Sequence, residues 1–208
     1  MNNIRKDHEV IARLIHDGAS VLDLGCGDGD LMAYLSQTRN AGAKGVEISE
    51  QAIYRCVARG LSVSNQDIDN GLSEYGDNSF DYVILNQCLQ QVKNPQEVLA
   101  EAVRVGKKAV VGVPNFAYIS ARWRLGVIGR APMTKALPYQ WYNTPNLHFL
   151  SLSDFVDYCR HSGLRMEKTV YLNGQAIVRL LPNLMAQTGI FLISRGKETR
   201  NNDRQTQY

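Results

Sequence analysis

From Ser20 onward the chain alternates short runs of apolar, β-branched residues with segments of helical periodicity, and few folds accept that rhythm. Ser20 to Leu24, Lys44 to Ile48, Leu61 to Asn65, Phe80 to Asn86 and Lys108 to Val113 read as strands. Between them, Gly29 to Thr38, Gln51 to Ala58 and Pro95 to Val103 read as helices. Repeated strand–helix–strand units cross over right-handed and leave their strands parallel, so the expected fold is α/β with a doubly wound, mostly parallel sheet. Residues 3 to 17 add an amphipathic helix ahead of the first strand, with Ile4, Ile11, Leu14 and Ile15 near one face.

After Pro114 the rhythm breaks. Residues 115–150 are rich in Tyr, Trp, Arg and Pro and are expected to form a lid or substrate-binding insert. Ser151-Leu-Ser-Asp154 then offers a capping box for a helix through Arg160. Arg165 to Leu172 and Ile190 to Ser194 supply two more strands, expected as an antiparallel edge hairpin joined through Asn173-Gly174 and the apolar Leu180 to Met185. Residues 196–208 are polar, lack periodicity and are expected to be disordered. A length of 208 residues suits a single domain over 1–195. A net charge of +3 is too mild to imply nucleic acid by itself. Cys26, Cys56, Cys88 and Cys159 form no CxxC pair, which argues against a zinc site or a disulfide framework and fits a reducing cytoplasm. The N-terminus shows no export signal, and no run approaches the roughly 18 apolar residues of a membrane span.

Val21-Leu-Asp-Leu-Gly-Cys-Gly-Asp-Gly29 is a strand that runs into three alternating glycines and then a helix. Such a loop brings backbone close to a ligand at the carboxyl edge of a doubly wound sheet, and it admits a dinucleotide site, an S-adenosylmethionine (SAM) site or a bare tight turn. A dinucleotide loop wants a small residue where this chain has Asp30 and a helix N-terminus free for pyrophosphate. Asp23, Asp28 and Asp30 would instead repel a diphosphate and suit the ammonium and sulfonium of SAM. Glu47 ends the second strand near the offset at which an acid grips ribose hydroxyls, with Ile48 beside it. Asp67 could accept from an adenine amino group while Ile68 covers the ring, and Asn86 with Gln87 could meet the methionyl group. Each of these residues alone could equally be a turn or a solvated strand end; the case rests on their joint position at four successive strand ends.

The chain resembles class I SAM-dependent methyltransferases over roughly residues 18 to 195 and, more narrowly, the MetW family of methionine biosynthesis proteins. The narrower likeness rests on the glycine motif, Phe80-Asp-Tyr-Val-Ile-Leu-Asn-Gln87, Val113-Pro-Asn-Phe116 and Ala136-Leu-Pro-Tyr-Gln-Trp-Tyr-Asn-Thr-Pro-Asn-Leu-His148. It implies a seven-stranded Rossmann-like sheet whose last strand is reversed, and a role in methionine synthesis alongside homoserine O-acyltransferase. It implies SAM or S-adenosylhomocysteine as ligand, on Asp23, Gly25, Cys26, Gly27, Glu47, Ile48, Asp67, Ile68, Asn86 and Gln87. It does not by itself imply methyl transfer.

Methyl transfer needs an aligned nucleophile and, for a weak one, a base. His148 is the candidate base, with Tyr139, Trp141 and Tyr142 upstream to wall a pocket, although a lone histidine beside Phe149 is more often structural. Cys88 reads as a small buried residue rather than a nucleophile. The Asn-Pro-Pro-aromatic signature of amino-directed nucleic-acid methyltransferases is missing after Asn86. Between Ala102 and Ser153 there is no acidic residue, yet Arg104, Lys107, Lys108, Arg122, Arg124, Arg130 and Lys135 occur there. That bias fits an anionic substrate, an acidic protein partner, RNA or a solvated face, and the apolar residues within Arg122 to Arg130 favour a protein interface over a phosphate track. The resemblance implies a SAM-binding accessory protein docked on homoserine O-acyltransferase; the alternatives are a methyltransferase acting on a small anionic metabolite, with His148 or a tyrosine as base, and, third, an RNA methyltransferase.

Overall fold

Strands buried on both faces are why the first half of the sequence reads so plainly, and a computed structural model describing residues 5–134 and 136–196 shows their arrangement. Five parallel strands form one flank of the sheet: β1 (Ser20–Leu24), β2 (Gly42–Glu47), β3 (Ser62–Asn65), β4 (Phe80–Asn86) and β5 (Gly106–Pro114). Three antiparallel strands complete it: β6 (Leu164–Asn173), β7 (Ala176–Val178) and β8 (Thr188–Arg195). The order is β3-β2-β1-β4-β5-β8-β6-β7, so β8 lies inside the sheet, between β5 and β6, rather than at its edge. The eighth strand, β7, escapes the sequence reading because three residues, paired only to β6 through Asn173–Ala176, carry no usable alternation.

Pleating divides the core into two layers. In β4, Val83 and Leu85 face one cluster while Tyr82 and Ile84 face the other, and in β8 Phe191 and Ile193 alternate likewise with Ile190 and Leu192. The helix leading into the sheet is α1 (Lys6–Leu14); it covers the second cluster with Val10 and Ile11, and residues 3 and 4 of the predicted helix fall outside the described residues. On the same side lies α2 (Asp30–Arg39), which buries Leu31 and Leu35. Next along the chain is α3 (Glu50–Ala58), followed by α4 (Pro95–Val105), whose Val98, Leu99 and Ala102 cover the first cluster.

The 115–150 insert contains a helix that its mixed Arg and Trp content hides, α5 (Ile119–Gly126). The predicted capping box is formed at Ser151 and starts α6 (Leu152–His161), whose Phe155 stacks on Phe191 with ring centroids 4.7 Å apart. The apolar run before β8 becomes a single turn, α7 (Pro182–Met185). Residues 197–208 of the polar tail lie outside the described residues. No described helix is long and apolar enough to cross a membrane.

Candidate functional site at the switch point of the sheet

β1 and β4 are neighbours, but the chain leaves β1 toward β2 and leaves β4 toward β5, so the strand order reverses between them. Reversal opens a crevice beyond the carboxyl ends of the two strands, which is where open α/β sheets take ligands. The glycine loop crosses this crevice. Its entrance is anchored to β2, because the N–H groups of Gly25 and Cys26 donate to the carbonyl of Val46 at 2.8 and 3.2 Å.

Glu47 ties the rest together. One carboxylate oxygen accepts from Gly27 N at 2.8 Å, and the other accepts from the N–H groups of Ile48 and Ser49, each at 2.9 Å. The side chain that the sequence assigns to ribose thus also clips the glycine loop to the turn after β2. A carboxylate has about four acceptor sites, so three backbone bonds leave capacity for a ligand hydroxyl.

Three cavities meet at Gly27. An inner pocket of about 260 Å³ is lined by Asp23, Gly25, Cys26 and Asn86, with Arg5 and His8 reaching in from α1 and the residue before it. An outer groove of about 500 Å³ is lined by Glu47, Ile48, Asp67, Ile68 and Gln87. A wider chamber of about 750 Å³ opens beside both. The structure therefore brings all ten residues assigned from the sequence to a nucleoside ligand into two adjoining cavities. Gly27 has φ +54°, and a Cβ built on it meets no protein atom within 4 Å, so the space beside it belongs to the junction of the cavities.

Asp23 is the unusual group. It is 3% exposed, and its carboxylate receives no hydrogen bond from the described residues. Burial, reinforced by the negative charge of Glu47, pushes its pKa up to about 7. A carboxylate in that condition suits a cation.

The other loop acids behave differently from the sequence argument. Arg55 pairs with Asp28 at 2.7 Å and Arg59 pairs with Asp30 at 2.7 Å, so both carboxylates are partnered from α3 and its end. The acids that face the cavities without an ion-pair partner among the described residues are instead Asp23, Glu47, Asp67 and Asp69. The signal was present in the sequence, since Arg55 and Arg59 stand one helical turn apart.

Sequence reasoning also missed the polar side of α1. Asp7 and His8 are only 9% and 7% exposed. Asn86 Nδ2 donates to Asp7 at 2.9 Å, and Arg5 donates to both Asp7 oxygens at 3.1 and 2.6 Å. Burial would raise the Asp7 pKa, but the bonds from Arg5 and Asn86 outweigh it and hold the carboxyl below its usual range. His8 is pushed down by burial, against the pull of Asp7, and so favours its neutral form.

Of the three candidate catalytic groups, only Tyr139 lines the wide chamber. His148 instead lines a separate, mainly apolar cavity with Leu89, Leu99, Phe149 and Phe155, and its Nε2 is buried without a partner among the described residues. Tyr142 stands exposed, edge-on to Trp141 at 5.6 Å. Cys88 donates its thiol to the Leu24 carbonyl at 3.2 Å, and burial raises its pKa, so no reactive thiolate is held there.

Residues 5–193 match the family described as methionine biosynthesis protein MetW. The chain belongs to the MetW family. It is 35% identical over 202 residues to the bifunctional methionine biosynthesis protein MetXA/MetW of Rhodopirellula baltica, a match covering 91% of this chain and 32% of that protein. The chain thus spans about a third of the length of that relative. It is 27% identical to a ubiquinone biosynthesis O-methyltransferase of Xanthomonas axonopodis pv. citri, over 80% of this chain and 71% of that one. In fold, a SAM-dependent methyltransferase of Mesorhizobium loti superposes with a TM-score of 0.66 at 15% identity, covering 91% of this chain and 98% of the other. The class I methyltransferase fold is therefore the MetW scaffold here.

The basic stretch of this MetW-family chain divides in two. Arg104 is paired with Glu101 and Asp77, Lys107 with Asp81, and Lys108 with Glu167. Arg122, Arg124 and Arg130 form no ion pair among the described residues, and they flank Trp123, Leu125 and Val127, each at least 60% exposed. Lys135 lies outside the described residues.

Proposed function

We propose that this chain binds S-adenosylmethionine across the inner pocket and outer groove, and that it serves methionine synthesis in company with homoserine O-acyltransferase. The observation that carries the ligand is Asp23, a buried carboxylate without a hydrogen-bond partner among the described residues, at the floor of a cavity large enough for a methionyl chain. Its ammonium would neutralise Asp23, while Arg5 and His8 on the opposite wall would receive the methionyl carboxylate. Glu47 would accept from the ribose hydroxyls, and Asp67 from the adenine amino group between Ile48 and Ile68. Cys26, Asn86 and Gln87 line the passage between the two ends. The donor set fits an adenosyl cation better than a diphosphate. When bound, SAM supplies an activated methyl group.

The pH dependence of binding tests this reading. Asp23 titrates near 7 in the free protein, and a bound ammonium favours its ionised form, so affinity rises as pH climbs toward that value. Calorimetric titration is expected to show SAM affinity increasing about fivefold from about pH 6 to about pH 7, below the range where an α-amino group loses its proton. Asp23→Asn should bind weakly and show no such rise. An unchanged pH profile in that variant would remove Asp23 from the site.

The partner is supported by the family and by a relative whose name joins MetXA and MetW in one bifunctional protein. The surface suited to it is α5 and the turn after it, where unpaired arginines surround exposed apolar side chains. If SAM reports methionine supply to the acyltransferase, the linkage must be reciprocal. Adding the acyltransferase is then expected to shift SAM affinity at least fivefold, and equal affinities with and without it would contradict this role.

A second reading, catalytic methylation of a small anionic metabolite, is favoured by one observation. The wide chamber joins the two ligand cavities at Gly27 and has room for an acceptor. We read residues 1–195 as one domain carrying all these sites.

A further inference from the structure

The wide chamber has a distinct chemical make-up. Arg5 and Lys6 bring two cations to one wall, and Gln87, Gln90, Gln91 and Gln187 bring primary amides to the others. Asp7 is the one carboxylate among the described residues that line it, and it already accepts from Arg5 and Asn86. Lys6 spends one N–H on Glu9 at 2.6 Å and keeps two more. Arg5 gives Asp7 its Nε and one Nη2 hydrogen and retains the Nη1 pair.

Among the described residues that lining holds no histidine and no carboxylate other than Asp7, and its one phenol, Tyr139, stands 45% exposed. The bonds from Arg5 and Asn86 make Asp7 a poor proton acceptor, His8 opens to the inner pocket, and His148 faces the apolar cavity behind the sheet end. An amine or alcohol entering this chamber would find no imidazole or free carboxylate among the described lining residues to remove its proton. A carboxylate needs no such help, because it is already ionised at neutral pH.

We infer that the chamber is a binding site for a small carboxylate metabolite, held by the ammonium of Lys6 and by the amide donors of the glutamines, with Arg5 adding only its charge from the wall shared with the inner pocket. The inference rests on the SAM reading only for its chemistry. There, a carboxylate oxygen lone pair would form the O–CH₃ bond, the C–S bond electrons would return to sulfur, and no proton would move, giving a methyl ester and a neutral thioether. Binding of the acid itself depends on this chain's residues alone.

The test is calorimetry on the full chain, first with S-adenosylhomocysteine and then, on the saturated protein, with acetate, succinate, glutarate and the corresponding neutral amides. At least one acid is expected to bind, with its amide at least tenfold weaker. Lys6→Ala should erase that preference while S-adenosylhomocysteine affinity stays within twofold, and Lys6→Arg should restore it. Neutral amides binding as tightly as the acids, no acid binding at all, or an undiminished preference in Lys6→Ala would each overturn the proposal. Should S-adenosylhomocysteine not bind, the same titrations on the free chain separate the two questions, since acid binding there upholds the chamber while the nucleoside site fails.

Discussion

Glu47→Ala is expected to weaken SAM binding about a hundredfold, the largest loss of any single side chain in the groove. Two ribose hydroxyls donating to one carboxylate are charge-assisted hydrogen bonds worth together about 3 kcal/mol, which converts to about two orders of magnitude in affinity. A second effect adds to the first. The same carboxylate accepts from Gly27, Ile48 and Ser49, so its removal frees the glycine loop from the turn after β2 and leaves the ligand to order both. Glu47→Gln separates the two contributions, because its amide keeps one acceptor oxygen but offers hydrogens where the carboxylate accepts. Binding within a factor of about three of the parent in both variants would exclude Glu47 from the site.

Gly112→Ala is expected to damage the site from a residue that lines none of its cavities. Gly112 lies in β5 between β4 and β8, and a Cβ there would collide with Asn86 Oδ1. Neither flanking strand can yield, since both are hydrogen-bonded through the middle of the sheet. Asn86 must therefore swing away and give up its bond to Asp7, which loosens the hold of α1 on the inner pocket. Overpacking of this kind costs about 1–3 kcal/mol, and a lost bond to a buried carboxylate adds about 1.5–3 kcal/mol. Thermal unfolding should shift down by several degrees, and the remaining folded protein should bind SAM at least tenfold less tightly. Parent-like melting and affinity would mean that Asn86 is not held as described.

Both residues illustrate what a sequence discloses. Glu47 was legible because a strand end followed by an acid has a fixed place in a βαβ unit, and β1, β4 and β5 were legible because burial on both faces makes them near-continuous apolar runs. Gly112 was not, because a glycine within Val110-Val-Gly-Val113 shows nothing of the neighbour it accommodates. The polar face of α1 was hidden for a related reason: Asp7 and His8 look solvent-facing until the sheet edge against which they are buried has been placed. Loop histidines such as His148 carry no periodicity, so nothing local indicates which cavity they enter. The pairing of Asp28 with Arg55 and of Asp30 with Arg59 left the charge argument to Asp23, Glu47, Asp67 and Asp69, with its sign unchanged.

That sign is the centre of the account, and equilibrium dialysis of the full chain near pH 7.5 against labelled SAM tests it most directly. Uptake approaching one molecule per chain is predicted, displaced by S-adenosylhomocysteine and untouched by an excess of NAD. No uptake, or displacement by the dinucleotide, would contradict a groove shaped for an adenosyl cation.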